Sequence, residues 1–583
     1  MKFAKLASYF QKLEQTSSRN TMTEILAELL GQSPATEIDK ICYLTQGRVA
    51  PLFVPLEFGV ADRMMIRAIA DGLGISAGEV EKTYKKEGDL GITASKLKTQ
   101  NLRLINAARD LEIGEVFEKL EKIAKFSGEG SQEAKIKMLG FMIENADPLS
   151  VRYLVRIPLA KMRLGFSDMT VLDALSWMVS GTKDARKEIE KAFNVRPDLG
   201  FIARVIKEDG LGGLKRVGPE VGTPIMMARA ERLSSGEEII KQIGQCAIEG
   251  KIDGFRVAVH AKNLKHNTQD LKITLFSRNM ENTTLMFPDI VEGIKKQIKA
   301  NEAIFEGEAI AYNPKTGEYL PLQETVQRKR KYDIENTAES VPLRLICFDC
   351  LYVDGQNLIG QSFLERRKFL EKILGKGETL ILSEMTIVEK PEQIEVLFQE
   401  AIDKGLEGVM AKKLDGVYQA GARSWNWIKY KKSYSGKIDD TIDALVMGYD
   451  FGQGKRNTFG IGDFLIGVYD LKSDTFKTIA KIGTGLTDEE WRTLKLNTKN
   501  LTLKTKPTRY DVNKGMDCDV WVEPKLMTVI KADEITKSPI HTAKLALRFP
   551  RLVDFREDKA PEDATSLDEV NKMYIRQNKS VLH

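Results

Sequence analysis

Glu249-Gly250-Lys251-Ile252-Asp253-Gly254-Phe255-Arg256 is the stretch that decides how this chain is read. It lies between the apolar Ile248 and the alternating segment Val257-Ala258-Val259, so extended chain enters it and extended chain leaves it. Lys, Asp and Gly are common in turns, and a hairpin tip with a solvated lysine is one reading. The other is chemical: an amine attacks the α-phosphate of a nucleotide and holds it as a phosphoramidate, with an acid, a glycine and an arginine around it.

Outward from this point the chain changes character. Residues 1–215 read as mostly helical. Ile113, Val116, Phe117, Leu120, Ile123 and Ala124 recur at helical spacing before the breaker Ser127-Gly128-Glu129-Gly130, and similar stretches run from Met22 to Leu30 and from Thr170 to Met178. Gly210 through Gly222 reads as an exit linker. Beyond it, short alternating runs bounded by Gly, Asn and Asp predict strands over 272–277, 303–312, 343–348 and 405–412, with helices over 289–300 and 361–374 between them. A third region, from near Lys437, predicts strands over 444–449, 464–469, 476–482 and 520–530, consistent with a small β-barrel, and the tail from residue 576 is expected to fray.

Composition bounds the alternatives. A length of 583 residues is too great for one core and suggests about three domains. No run of about 18 apolar residues is present, and Met1-Lys2-Phe3-Ala4-Lys5 lacks a secretory apolar segment, so an intracellular chain is expected. Net charge is only +5, so nucleic-acid affinity depends on where cations gather. They gather at Arg328-Lys329-Arg330-Lys331 and at Lys429-Tyr430-Lys431-Lys432. Five scattered cysteines point to free thiols in a reducing compartment. Cys347 and Cys350, three apart in an apolar strand, are expected on opposite faces and form no zinc site.

Nucleotidyl transfer needs an uncharged nucleophile, cations on phosphate, carboxylates for metal and a slot for the base. Only about one free lysine in a thousand is neutral at pH 7, so neighbouring cations must disfavour the ammonium form. Glu306-Gly307-Glu308 puts two acids on one face of a strand, where either a solvated side or a metal accounts for them, and Glu407-Gly408-Val409-Met410-Ala411-Lys412 supplies another. In Arg423-Ser424-Trp425-Asn426-Trp427-Ile428-Lys429-Tyr430-Lys431, alternation puts Trp427, Lys429 and Lys431 on one face with no acid between the ammoniums. Phosphate would neutralise that pair, although a basic edge strand reads the same way. Phe348 is either core or a base-stacking ring. Ser277-Arg278-Asn279 ends a strand with a cation, and Arg548-Phe549-Pro550-Arg551 adds two guanidiniums suited to bidentate phosphate contacts.

In this order the segments resemble the ATP-dependent DNA ligases, particularly the archaeal and eukaryotic replicative type. The resemblance covers most of the chain and extends to Cys347-Phe348-Asp349, to Arg556-Glu557-Asp558-Lys559, and to Arg163-Leu164-Gly165 with Thr170 to Leu175 in the helical region. Glu306 stands where many members carry Asp, and the absence of a four-cysteine zinc module argues against the NAD-dependent class. The resemblance implies a multidomain fold: an all-α DNA-binding domain (1–215), an α/β, ATP-grasp-like nucleotidyltransferase domain (222–433), an OB-fold β-barrel (434–575) and a tail (576–583). It implies that Lys251 is adenylated, Glu249 contacts adenine, Arg256 and Glu308 hold the ribose, and Phe348 stacks on the base. Arg278 would contact the 5′-phosphate. Glu308 and Glu407 would hold metal, and Arg423, Lys429 and Lys431 the nucleotide phosphates. Arg551 and Lys559 would orient the pyrophosphate.

The cofactors implied are ATP and Mg²⁺, with Mn²⁺ as a substitute. The partner is nicked double-stranded DNA enclosed by a clamp of three domains, with a sliding clamp as a further candidate. A monomer is expected, with no membrane and a cytoplasmic location, nucleoid-associated in a prokaryote. A capping guanylyltransferase and an RNA ligase share the lysine motif, but the helical region speaks against both. A nick-binding scaffold without catalysis is set aside by the intact Lys251, Glu308, Glu407 and Lys429.

Overall fold

The computed structural model describes the chain except for residues 17, 107, 234, 265–270, 322–323, 326, 329–333, 432–440, 453–455, 457, 504, 557–558 and 580–583. Lys329-Arg330-Lys331, Lys432, Glu557-Asp558 and the expected domain boundary at 433/434 therefore lie outside the described residues. The chain divides into two compact units. One comprises Met1–Glu231, Ile239–Lys390 and Met410–Ile428; the other comprises Arg232–Glu238, Pro391–Val409 and Lys429–His583.

In the first unit, helices run from Phe3–Glu14 to Leu199–Asp209. Their ends are marked by side chains that satisfy the free N–H groups: Asp147 accepts from Leu149 and Ser150, with Pro148 next to it, and Asp198 accepts from Phe201. The expected helix over 113–124 is Ile113–Lys125, and the stretches at 22–30 and 170–178 lie within Arg19–Gln32 and Asp168–Ser180, which share one apolar core. The exit linker differs from expectation. Leu211–Arg216 forms a 3-10 turn and Leu214 is buried in the helical core, because an apolar side chain one turn past the last helix is drawn into it.

Eleven strands follow among the described residues: β1 (Arg229–Arg232), β2 (Cys246–Lys251), β3 (Phe255–Lys262), β4 (Lys272–Ser277), β5 (Ala303–Ala311), β6 (Leu343–Val353), β7 (Gln356–Asn357), β8 (Leu380–Leu382), β9 (Met385–Val388), β10 (Gly408–Lys413) and β11 (Arg423–Lys431). They form two sheets, one in the order β1-β11-β10-β2-β9 and one in the order β4-β3-β5-β6-β7, with β8 also on β6. This overturns the hairpin reading of the opening stretch. β2 pairs with β9 and β3 with β4 and β5, so Ile252-Asp253-Gly254 is a crossover between sheets rather than a turn within one.

Two local departures have physical causes. β10 begins at Gly408, later than the expected 405, because Gly405 closes the preceding helix, Pro391–Asp403, at φ 77° and its N–H bonds the Ile402 carbonyl. Cys347 and Cys350 do not point to opposite faces. Cys350 pairs with Phe305, Asp349 with Glu306 and Cys347 with Gly307, so Phe348 is an extra residue in a bulge and both thiols enter the same apolar core. Burial pushes both thiols well above their ordinary range.

The second unit carries β12 (Ile442–Asp450), β13 (Asp463–Asp470), β14 (Thr475–Ile482), β15 (Thr502–Leu503), β16 (Tyr510–Asp511), β17 (Val520–Val522), β18 (Met527–Lys531), β19 (Glu534–Lys537), β20 (Leu545–Arg548) and β21 (Arg551–Arg556). Its main sheet runs β15-β17-β12-β13-β14-β16, with β18 between β12 and β21. The single strand expected over 520–530 is broken at Glu523-Pro524-Lys525: proline has no N–H for a ladder, and the Lys525 N–H turns back to the Glu523 carbonyl at 2.7 Å. β17 and β18 then pair with opposite ends of β12. The tail also differs. A helix covers Leu567–Lys579, and Gln577 exchanges two hydrogen bonds with the Ile535 backbone, so the start of the tail is docked where fraying was expected, while residues 580–583 lie outside the described residues.

Candidate active site

Lys251 is the last residue of β2, partly buried, with its ammonium 3.5 Å from the Ile252 carbonyl. Two residues earlier, Glu249 is buried at 4% exposure. Its carboxylate meets Lys412 at 2.6 Å, the Ser383 hydroxyl at 3.0 Å and Arg367 at 3.3 Å. Lys412 and Ser383 compensate the cost of burying that charge, with Arg367 adding a longer ion pair. Lys412 is itself surrounded by rings: its ammonium stands 4.7 Å from the Phe348 centroid and 4.8 Å from those of Phe363 and Trp427, and it donates to the Phe348 carbonyl at 3.2 Å. Burial pulls its pKa down, against the opposing pull of Glu249 and Asp349.

Across the crossover, Arg256 stands opposite Glu308 in the β3–β5 register, and Ala258 opposite Glu306. The ion pair goes to Glu306, at 2.8 Å, while the other guanidinium nitrogen donates to the Ala228 carbonyl at 2.7 Å. Burial disfavours the Arg256 charge, but Glu306 outweighs it and its pKa is raised. Glu306 is fully buried and Glu308 half-buried, so the two acids that alternation placed on one face have different surroundings. Phe348, projected by the bulge, is partly buried and packs with Trp427 edge-to-face at 6.0 Å, with Arg256 5.5 Å from its centroid. Beneath it, Asp349 and Arg366 form a fully buried two-pronged pair at 2.7 and 2.9 Å.

Arg278 follows the end of β4, and Arg423 begins β11. These, with Lys251, Glu249, Arg256, Glu308 and Phe348, belong to the first unit. Glu407, Lys429, Lys431, Arg551 and Lys559 belong to the second. There the face of Lys429 and Lys431 is not free of acid: Glu407 pairs with Lys431 at 2.7 Å. The alternation rule carries no information about a carboxylate from a preceding loop. Arg551 pairs with Asp533 and Lys559 with Asp443.

Lys412, Arg367, Ser383, Asp349 and Arg366 were not legible as site residues. The one signal was Lys412 itself, a lysine closing the apolar run Val409-Met410-Ala411. Among the described residues no group of three His, Cys, Asp or Glu side chains is arranged to hold a metal. Mg²⁺ is commonly held by one or two carboxylates with substrate phosphates completing its shell, and single carboxylates such as Glu308 and Glu407 suit that mode.

A helical N-terminal region, a two-sheet middle region with a lysine at the crossover, and a strand-rich C-terminal region together define a nucleotidyltransferase built onto two accessory parts. Residues 2–176 match the model described as DNA ligase N terminus, 226–431 the ATP dependent DNA ligase domain, and 457–559 the ATP dependent DNA ligase C terminal region. A probable DNA ligase of Dictyoglomus turgidum is 46% identical, over 99% of this chain and 98% of its own. DNA ligase 2 of Thermofilum pendens is 41% identical over 100% and 98%, and the DNA ligase of Staphylothermus marinus 40% identical over 100% of both. The solved structure described as Pmar-Lig_PreS3 shares the fold, with TM-score 0.54 and 17% identity over 94% of this chain and 99% of that one. The chain belongs to the ATP-dependent DNA ligase family, whose members seal nicks through an adenylate intermediate. No helix among the described residues is long and apolar enough to cross a membrane.

Proposed function

We propose that Lys251 is the residue that carries AMP and that the chain joins 5′-phosphate and 3′-hydroxyl ends at nicks in duplex DNA. The Lys251 amine attacks the α-phosphorus of ATP; a P–N bond forms as the α–β P–O bond breaks, and pyrophosphate leaves. The 5′-phosphate then takes the AMP, freeing the lysine. The 3′-hydroxyl attacks that activated phosphate, forming the phosphodiester and releasing AMP. What supports this reading is the position of Lys251 between the sheets, with buried Glu249 on one side and the Arg256–Glu306 pair on the other.

In this reading Phe348 stacks on adenine, Glu249 governs the base edge, and Arg256 with Glu308 faces the ribose. Arg278 takes the 5′-phosphate, Arg423, Lys429 and Lys431 the nucleotide phosphates, and Arg551 and Lys559 the pyrophosphate. Glu308 and Glu407 would each offer a carboxylate to Mg²⁺, or to Mn²⁺ in its place, and the bound ion would supply charge neutralisation at the transferred phosphate. Residues 1–215 serve as the DNA-binding part, 222–433 as the adenylating part and 434–575 as the barrel; the three family matches fall inside these ranges.

The test incubates the protein with α-labelled ATP or GTP, or labelled NAD, and Mg²⁺, and resolves it on a denaturing gel. Label is expected from ATP alone and is lost in Lys251→Ala. Label from GTP alone, or retained in Lys251→Ala, overturns the reading.

A further inference from the structure

Arg229 is an exposed residue on β1 to which neither the motifs nor the resemblance assigns a role. Three hydrogen-bonded or paired rows bring it to the site. Its own N–H bonds the Ala422 carbonyl at 2.9 Å, beside Arg423. The carbonyl of the preceding Ala228 accepts from Arg256 at 2.7 Å. In the second sheet Val257 pairs with Ser277 and Arg256 with Glu308, so Arg278, the first residue past β4, leaves the sheet next to Arg256. Arg229, Arg256, Arg278 and Arg423 thus converge from four strands or strand ends.

Among the described residues, three acids, Glu306, Glu231 and Glu308, face these four guanidiniums. Arg256 is committed to Glu306 at 2.8 Å, and Arg423 reaches Glu231 only at 4.0 Å. Burial, then the charges of Arg256, Arg229 and Arg423, push the Arg278 guanidinium below its ordinary range, with Glu308 the opposing acid. Like charges held together with fewer acids than cations raise the energy of the empty site relative to an anion-filled one. Planar guanidiniums favour a phosphate that can be gripped by two N–H groups at once.

We infer that Arg229 is an additional phosphate-binding residue of this site, acting with Arg278 on the terminal phosphate of the DNA end. This rests on the function proposed above. Phosphate arrives from two sources, ATP and DNA; Arg229 is assigned to DNA because its charge acts on Arg278, the residue given the 5′-phosphate above, and because β11 and β10 separate its strand from β2, which carries Glu249 and Lys251.

The experiment compares the full-length protein with Arg229→Gln and Arg229→Lys in three assays: labelling by α-labelled ATP, transfer of AMP from pre-labelled protein to nicked duplex, and affinity for nicks ending in 5′-phosphate or 5′-hydroxyl. R229Q is expected to acquire AMP within about twofold of wild type, to transfer it about tenfold or more slowly, and to lose most of its preference for 5′-phosphate over 5′-hydroxyl, with R229K intermediate. An unchanged preference, an equal loss of affinity for both nicks, or a loss confined to ATP labelling overturns the assignment. Failure of the wild-type protein to take up AMP would instead sink the function on which it rests.

Discussion

His260 lies on β3 at 1% exposure, with Nδ1 accepting the Gly222 N–H at 3.2 Å and its ring edge-to-face with Phe276 at 5.0 Å. Burial pulls it down to about 3 from 6.5, against a smaller upward pull from the Glu220 backbone. Below pH 6.5 the unfolded chain binds a proton that the folded chain refuses, so this contribution is present above 6.5 and is lost as pH falls toward 3. Between pH 6.5 and 4.5 the loss is about 2 kcal/mol. Thermal unfolding across that range should show a steeper fall for wild type than for His260→Gln, whose amide can still accept from Gly222. Parallel profiles would mean that this imidazole does not set the acid limit.

The element that matters most is the crossover from β2 to β3. Gly254 sits against β5: a Cβ there would run into the Ala309 carbonyl and come within 3.0 Å of the Glu308 side chain. Backbone cannot yield as a side chain can, so Gly254→Ala is expected to cost about 1–3 kcal/mol and to displace Arg256 two residues on. The measurement pairs thermal unfolding with AMP labelling. A variant that keeps both wild-type stability and wild-type labelling would show that the close approach is unimportant. The β6 bulge acts in the same way at a neighbouring element. One residue out of register turns Phe348 out of the ladder toward Trp427 while leaving Cys347 and Cys350 in the core. Period-two reasoning does not register an inserted residue, and so it put the two cysteines on opposite faces.

At the scale of the whole molecule, the helical region is packed into the first unit rather than merely tethered to it. Phe53 meets Phe276 edge-to-face at 6.5 Å beside Met227 and Ala258, and the Met226 N–H donates to the Asn194 carbonyl at 2.8 Å. Deleting residues 1–215 removes Phe53 and Asn194 together with a broad part of the surface assigned to DNA. Self-adenylation is expected to survive, and nick affinity in a gel-shift titration to fall about tenfold or more, since backbone contacts dominate such binding. Undiminished nick affinity would remove the helical region from the DNA interface.

What the amino-acid order determined alone was the inventory: a helical stretch followed by strands, and a lysine with an acid two residues before it and an arginine five after. These are local patterns, written in spacing of two and of three to four residues. The tertiary structure alone decided that the lysine stands between sheets rather than on a hairpin, that Arg256 pairs with Glu306, and that Lys412 neutralises Glu249 from 163 positions away (412 − 249). Burial of charge is a property of what surrounds a side chain in space, and the partners that make it tolerable are distant in the chain.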